Sequence, residues 1–126
     1  MLVDLHTHST FSDGRYTPTQ LVEEAAAKGI VTLALADHDS WNGVEEAKQA
    51  AEALGNTVRI IPAVELGAQY GEESVHILAY YVDMNNAPLL AKMNKMRHAR
   101  EFRLLKMIEK LHALGYEIEV EACDPK

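Results

Sequence analysis

Cysteine is nearly absent: Cys123 is the single one in 126 residues. No internal disulfide framework can form, and a reducing compartment, the cytoplasm, is the expected setting. Long apolar runs are also missing; none approaches the ~18 residues a membrane span needs. The opening Met1 to Asp4 carries neither a basic stretch nor an extended apolar one, so no signal peptide is expected. Basic residues are the minority, 12 against 19 acidic, giving a net charge of −7. That balance argues against a protein coated all over by nucleic acid and leaves local sites open. No repeat and no low-complexity segment occurs. What remains is 48% hydrophobic and 25% charged, the balance of an ordinary globular chain long enough for one domain.

The charge is unevenly placed. Residues 1–85 are strongly acidic, with 13 acids and 4 bases, whereas residues 86–114 hold 7 of the 12 bases and only 2 acids.

The pattern along the chain alternates strands and helices. Leu2 to Leu5 reads as a short strand running into His6-Thr7-His8, followed by a polar loop with an Asp13-Gly14 turn signal. Thr17-Pro18-Thr19-Gln20 opens a helix as a capping box with proline at its first position, and Gly29 closes it. Ile30 to Ala36 is continuously apolar, as suits a strand covered on both faces. A second helix is expected from about Gly43 to Leu54. Val58 to Leu66 forms a third strand in which Pro62 suggests a bulge or an edge, and Ser74 to Val82 a fourth. A long helix from about Pro88 to Leu114 and a short strand from Tyr116 to Glu121 complete the order β-α-β-α-β-β-α-β. This is an α/β protein with a largely parallel sheet, whose working face is at the C-terminal ends of the strands.

Those ends carry metal-ligand residue types. His6 and His8, two apart on a strand, project to one face, and Asp4 shares it by parity. Asp13 lies in the next loop. His38 ends the second strand between Asp37 and Asp39, an arrangement in which a ligand's second ring nitrogen can donate to a carboxylate. Asp39 also reads as an N-cap. Glu65 ends an apolar run, and His76 interrupts another. Each of these alone fits a solvated strand end or a satisfied core histidine. A hairpin turning at Tyr70-Gly71 would set Glu65 directly opposite His76, with Cβ atoms roughly 4.5–5.5 Å apart. Four histidines, one aspartate and one glutamate are too many for one tetrahedral ion. A cluster of two or three ions bridged by Glu65 fits better, with Mn²⁺, Zn²⁺ or Fe as cations suited to nitrogen and carboxylate donors.

Asp4-Leu5-His6-Thr7-His8-Ser9, Ser12-Asp13-Gly14, Ala36-Asp37-His38-Asp39, Glu65 and His76 together resemble the PHP (polymerase and histidinol phosphatase) family, most closely its small stand-alone bacterial phosphoesterases. The resemblance covers essentially the whole chain. It implies a distorted (β/α)₇ barrel with a trinuclear metal site, His6, His8, Asp13, His38, Glu65 and His76 as ligands, and Glu65 bridging. It further implies hydrolysis of phosphomonoesters, such as nucleoside bisphosphates or 5′-phosphorylated short oligonucleotides. The nucleophile would be a metal-bound water rather than a side chain. The family pattern has nine ligands, and its last three fall beyond Lys126. The chain therefore resembles an N-terminal half: residues 1–85 as barrel strands and ligand loops, residues 86–126 as a truncated helical insertion with a short strand. A barrel of this class usually takes about 250 residues.

The basic helix reads either as a solvated face or as a phosphate-capturing element, since guanidinium matches phosphate geometry bidentately. The resemblance places a helical insertion over the site, making Arg97, Arg100 and Arg103 candidates for substrate phosphate; Arg15, beside Asp13, is another. His98 and His112 read as surface or helix-packing residues. Two alternatives stand beside the phosphoesterase. One is an incomplete fragment that binds metal weakly and needs oligomerisation or a complementing C-terminal half. The other is a nucleic-acid-binding module built on the basic helix.

Overall fold

The computed structural model describes residues 1–119. The elements run β1 (Leu2–Thr7), α1 (Pro18–Ala27), β2 (Ile30–Leu35), α2 (Val44–Ala53), β3 (Arg59–Tyr70), β4 (Glu73–Tyr80) and α3 (Ala87–Ala113). They fall into two compact units, Met1–Met84 and Asn85–Lys126.

In the first unit the four strands form one sheet in the order β1-β2-β3-β4. β1, β2 and β3 are mutually parallel and joined by helical crossovers, while β3 and β4 form an antiparallel hairpin. The capping box at α1 forms: Thr17 Oγ1 accepts from Gln20 N–H, and the Gln20 side chain accepts from Thr17 N–H. That satisfies two of the donors a helix start leaves without intrahelical partners. β2 explains its unbroken apolar sequence. Leu33 and Leu35 pack on one face with Val22 and Ala25 of α1, Val44 and Ala47 of α2, and Val58. Ala34 and Ala36 pack on the other face with Ile61, Ala63 and Leu78. The second face is built largely from alanine, so it has little bulk beneath the strand ends.

Three expectations change. Pro62 marks neither an edge nor a bulge, because β3 lies inside the sheet. It pairs with β2 from Arg59 to Pro62 and with β4 from Ala63 onward. Proline sits at the change of partner, and its carbonyl accepts from Tyr81 N–H at 2.7 Å. The hairpin turns one residue later than expected. Tyr70 faces Glu73 across a two-residue loop, with Gly71 at φ +62° where a type II′ turn places its glycine. Glu65 therefore faces Leu78, and His76 faces Gly67. Of the short strand expected over 116–121, residues 116–119 form no strand and the remainder lies outside the described residues.

The sheet curls enough for the hydroxyl of Tyr80 on β4 to donate to the carbonyl of Leu5 on β1, at 2.9 Å across the two edge strands.

In the second unit α3 starts at Asn86, whose side chain accepts from Leu89 N–H, and buries Met93 and Ile108. Lys110 and His112 occupy its last turn, where cations complement the helix dipole. No helix among the described residues is long and apolar enough to cross a membrane.

Candidate metal centre

Parallel strands bring their C-terminal ends to one side of the sheet, and there the sequence places its histidines. β1 delivers His6 and, just past its end, His8. The segment after β2 delivers His38, which forms an isolated parallel bridge with Glu65 of β3. Glu65 N–H donates to Asp37 O at 3.2 Å and Asp39 N–H to Glu65 O at 2.9 Å, so backbone bonds fix His38 beside Glu65. β4 delivers His76.

Glu65 is the hub. Its Oε2 lies 2.9 Å from His6 Nε2, 3.1 Å from His8 Nε2 and 3.6 Å from His38 Nδ1. Its Oε1 lies 2.8 Å from His76 Nδ1. Asp13 closes the other side: its carboxylate is 3.3 Å from His8 Nδ1 and 3.6 Å from His38 Nε2. The four rings are neighbours in turn, with centroids 5.0 Å apart for His6–His8, 4.7 Å for His8–His38 and 5.1 Å for His38–His76. Burial pushes the Glu65 carboxyl up. Hydrogen bonds from His6 and His76 and the charges of His38 and His6 together outweigh burial and hold it below the ordinary glutamate range. Glu65 is thus an ionised carboxylate, 5% exposed, inside a ring of imidazoles.

This donor set fits divalent cations. Three groups, His6/His8/Glu65, His8/Asp13/His38 and His38/Glu65/His76, each offer ligand atoms within 4.8 Å of one another. Bonds of about 2.1 Å at tetrahedral angles put neighbouring donors about 3.4 Å apart. The spacings of 2.8 to 3.6 Å around Glu65 and Asp13 bracket that value. Nitrogen and carboxylate donors without thiolate suit Zn²⁺, Mn²⁺ or Fe. All six residues expected from the sequence come together here.

Their neighbours behave differently from expectation. Asp37 is no partner of the His38 ring: it is 1% exposed and accepts three hydrogen bonds from Ser9 and Ser12. Asp39 does not cap α2, whose N-cap is Gly43 with no side-chain bond. Instead Asp39 turns the chain at φ +48°, and its Oδ1 accepts from Gly67 N–H. Asp4 belongs to none of the three donor groups; its Oδ1 accepts from His6 N–H. Arg15 is exposed on the loop after Asp13. Arg97 and Arg103 are exposed and Arg100 half-buried on α3, in the second unit. His98 is exposed there, and the exposed His112 ring bonds Ile118 O through Nε2 at 2.8 Å.

The chain is similar to a 5′-3′ exoribonuclease from Haemophilus influenzae, 37% identical over 89% of this chain and 40% of the relative. It is also similar to a 3′,5′-nucleoside bisphosphate phosphatase from Chromobacterium violaceum, 37% identical over 90% of this chain and 39% of the relative. Among solved structures, a proposed metal-dependent phosphoesterase from Bifidobacterium adolescentis superposes with a TM-score of 0.81 and 37% identity. That match covers 87% of this chain and 38% of the other. The chain thus spans about 40% of the length of these relatives. The PHP domain matches residues 4–119, and the chain belongs to that family.

Proposed function

We propose that this chain carries the metal-binding part of a phosphoesterase that hydrolyses phosphomonoesters, with nucleoside bisphosphates or 5′-phosphorylated short oligonucleotides as the substrate class. The observation that carries the reading is the convergence of four imidazoles around one ionised, buried carboxylate, Glu65, with Asp13 against His8 and His38 on the other side. His6, His8, Asp13, His38, Glu65 and His76 would hold two or three divalent cations, Mn²⁺, Zn²⁺ or Fe. When bound, such ions lower the pKa of water and neutralise charge on a phosphoryl group.

The chain's own residues supply the rest. Glu65 offers both oxygens, one toward His6, His8 and His38 and the other toward His76, which suits a bridging role. Its burial keeps competing water away from that bridge. Arg15, exposed beside Asp13, is assigned to substrate phosphate, with Arg97, Arg100 and Arg103 as further candidates on a helical insertion spanning 86–126. The single cysteine favours a reducing compartment, the cytoplasm. The test is Mn²⁺-dependent release of phosphate from p-nitrophenyl phosphate or a nucleoside 3′,5′-bisphosphate, abolished in His8→Ala. Hydrolysis that persists undiminished in chelator overturns the reading.

A second reading has its own observation. Among the described residues β1 and β4 are the two edges of the sheet, and Leu2, Val3 and Leu5 on β1 and Ile77 on β4 are exposed. With a span of about 40% of the relatives, these features favour a chain that binds metal but needs a second copy or a complementing C-terminal half for turnover. Metal uptake without hydrolysis, with hydrolysis restored by the complementing half, is the result this reading expects.

A further inference from the structure

Next to the proposed ligand His38 lies a buried carboxyl group whose hydrogen bonds run to Ser9 and Ser12 and not to any ligand side chain. Asp37 is the residue before His38, 1% exposed. Its Oδ1 accepts from Ser9 N–H at 2.7 Å and from Ser12 Oγ at 2.6 Å, and its Oδ2 accepts from Ser9 Oγ at 2.7 Å. Ser9 is completely buried and Ser12 is 7% exposed. The loop folds around this carboxylate. Ser9 O accepts from Ser12 N–H and Gly14 N–H, and Phe11 N–H donates to Ser9 Oγ. A carboxylate with so little exposure is costly unless several donors compensate it, and here every donor comes from one loop.

The position of that loop matters because its two ends are the ligands His8 and Asp13. His38 follows Asp37 directly. One buried carboxylate therefore ties the His8–Asp13 loop to the segment that carries His38, and these three residues make up one of the three donor groups.

We infer that Asp37 is a positioning residue, which sets His8 and Asp13 against His38 through Ser9 and Ser12 before any ion binds. The inference rests on the metal-site reading above. Groups that orient ligands without touching the ion typically contribute about 10–100-fold in metal affinity. Asp37→Asn keeps the shape and an acceptor oxygen for Ser9 N–H and Ser12 Oγ, while Asp37→Ala removes all three bonds.

The test is a Co²⁺ titration of the full chain followed by the visible absorption of the bound ion, with hydrogen exchange of the Ser9–Gly14 amides in the metal-free protein. Val22→Ala, a cavity in the core cluster on the buried face of α1, serves as a destabilised control with an untouched loop; Ser12→Ala is a milder variant that keeps the two Ser9 bonds. Asp37→Ala is expected to weaken Co²⁺ by about 10–100-fold, to alter its spectrum and to speed exchange of the loop amides. Asp37→Asn and Ser12→Ala should fall in between, and Val22→Ala should leave spectrum and affinity unchanged. If Asp37→Ala shifts Co²⁺ no more than Val22→Ala, the positioning role is overturned. If the unmodified chain takes up no Co²⁺, the metal reading fails instead. Loop exchange then decides the clamp alone: protection equal to that of Asp37→Ala removes it.

Discussion

His76 and Glu65 meet side chain to side chain at 2.8 Å although they are not cross-strand partners: His76 is opposite Gly67, and Glu65 is opposite Leu78. The contact is diagonal, and the residue opposite His76 has no side chain to intervene. Glu65 thereby uses its second oxygen, the first being surrounded by the other three rings.

Glu65→Gln keeps the volume and removes the charge that all four imidazoles share. Its expected effect on Mn²⁺ affinity exceeds the roughly 10–100-fold of groups that only orient ligands. Calorimetric titration of the two proteins measures it, and a change under tenfold would contradict the hub role.

The legible parts of this site were those protected by parity. Placing the hairpin turn one residue early shifts the register by two, and a shift of two returns every side chain to the same face. Glu65 and His76 therefore share a face in either register, although their cross-strand partners differ. The capping box at Thr17 and Gln20 was legible because it is local. Asp37 was misread because the pattern Asp-His-Asp points to the neighbour in sequence, whereas its donors lie 25 to 28 residues away. The signal available was its place at the end of an apolar run, followed by the question of which serines could reach it. Pro62 was misread because a change of strand partner leaves no local trace.

Acid should weaken the metal-free fold through Glu65. Its folded pKa is held down, after burial is outweighed by His6, His38 and His76. Between the folded value and the ordinary glutamate value of about 4.3, the unfolded chain binds more protons. Stability from this group is fully present above the ordinary value and is lost as pH falls through the folded one. Melting temperature against pH should drop more steeply in the native chain than in Glu65→Gln, and parallel curves would count against it.

Gly14 has no room for a methyl group. A Cβ there would lie 2.2 Å from His8 O and 2.7 Å from Ser9 Cα, both backbone atoms that cannot rotate away. Gly14→Ala should destabilise by about 1–3 kcal/mol, as overpacking does, and displace His8. Urea unfolding gives the first quantity and Co²⁺ titration the second. A neutral variant would show that the loop relaxes freely.

Thr17→Ala removes half of the α1 capping box and should cost about 1 kcal/mol. The Thr17 side chain bonds Gln20 N–H and none of the ligands, so Co²⁺ affinity measured on the folded protein should not change. A loss of affinity would mean that α1 and the site are coupled.

The sheet edge bears on association. Ile77 is 53% exposed on β4, an edge strand among the described residues. The apparent mass in sedimentation should rise with protein concentration, and Ile77→Lys should reduce that rise, since an edge lysine discourages strand pairing. A mass independent of concentration in the unmodified chain would contradict association through this edge.

The change of partner along β3 also separates local contacts from distant ones. The half of β3 beyond Pro62 belongs to a hairpin closed by a two-residue loop, so Glu65 and His76, 11 residues apart, can find each other early through local contacts. His6 lies 59 residues before Glu65, with two helical crossovers between them. A chain emerging N-terminus first holds His6 and His8 idle until the hairpin that receives them has been made. The ring around Glu65 is complete only when the whole first unit is folded, so a cation that needs the full ring reports on finished folding.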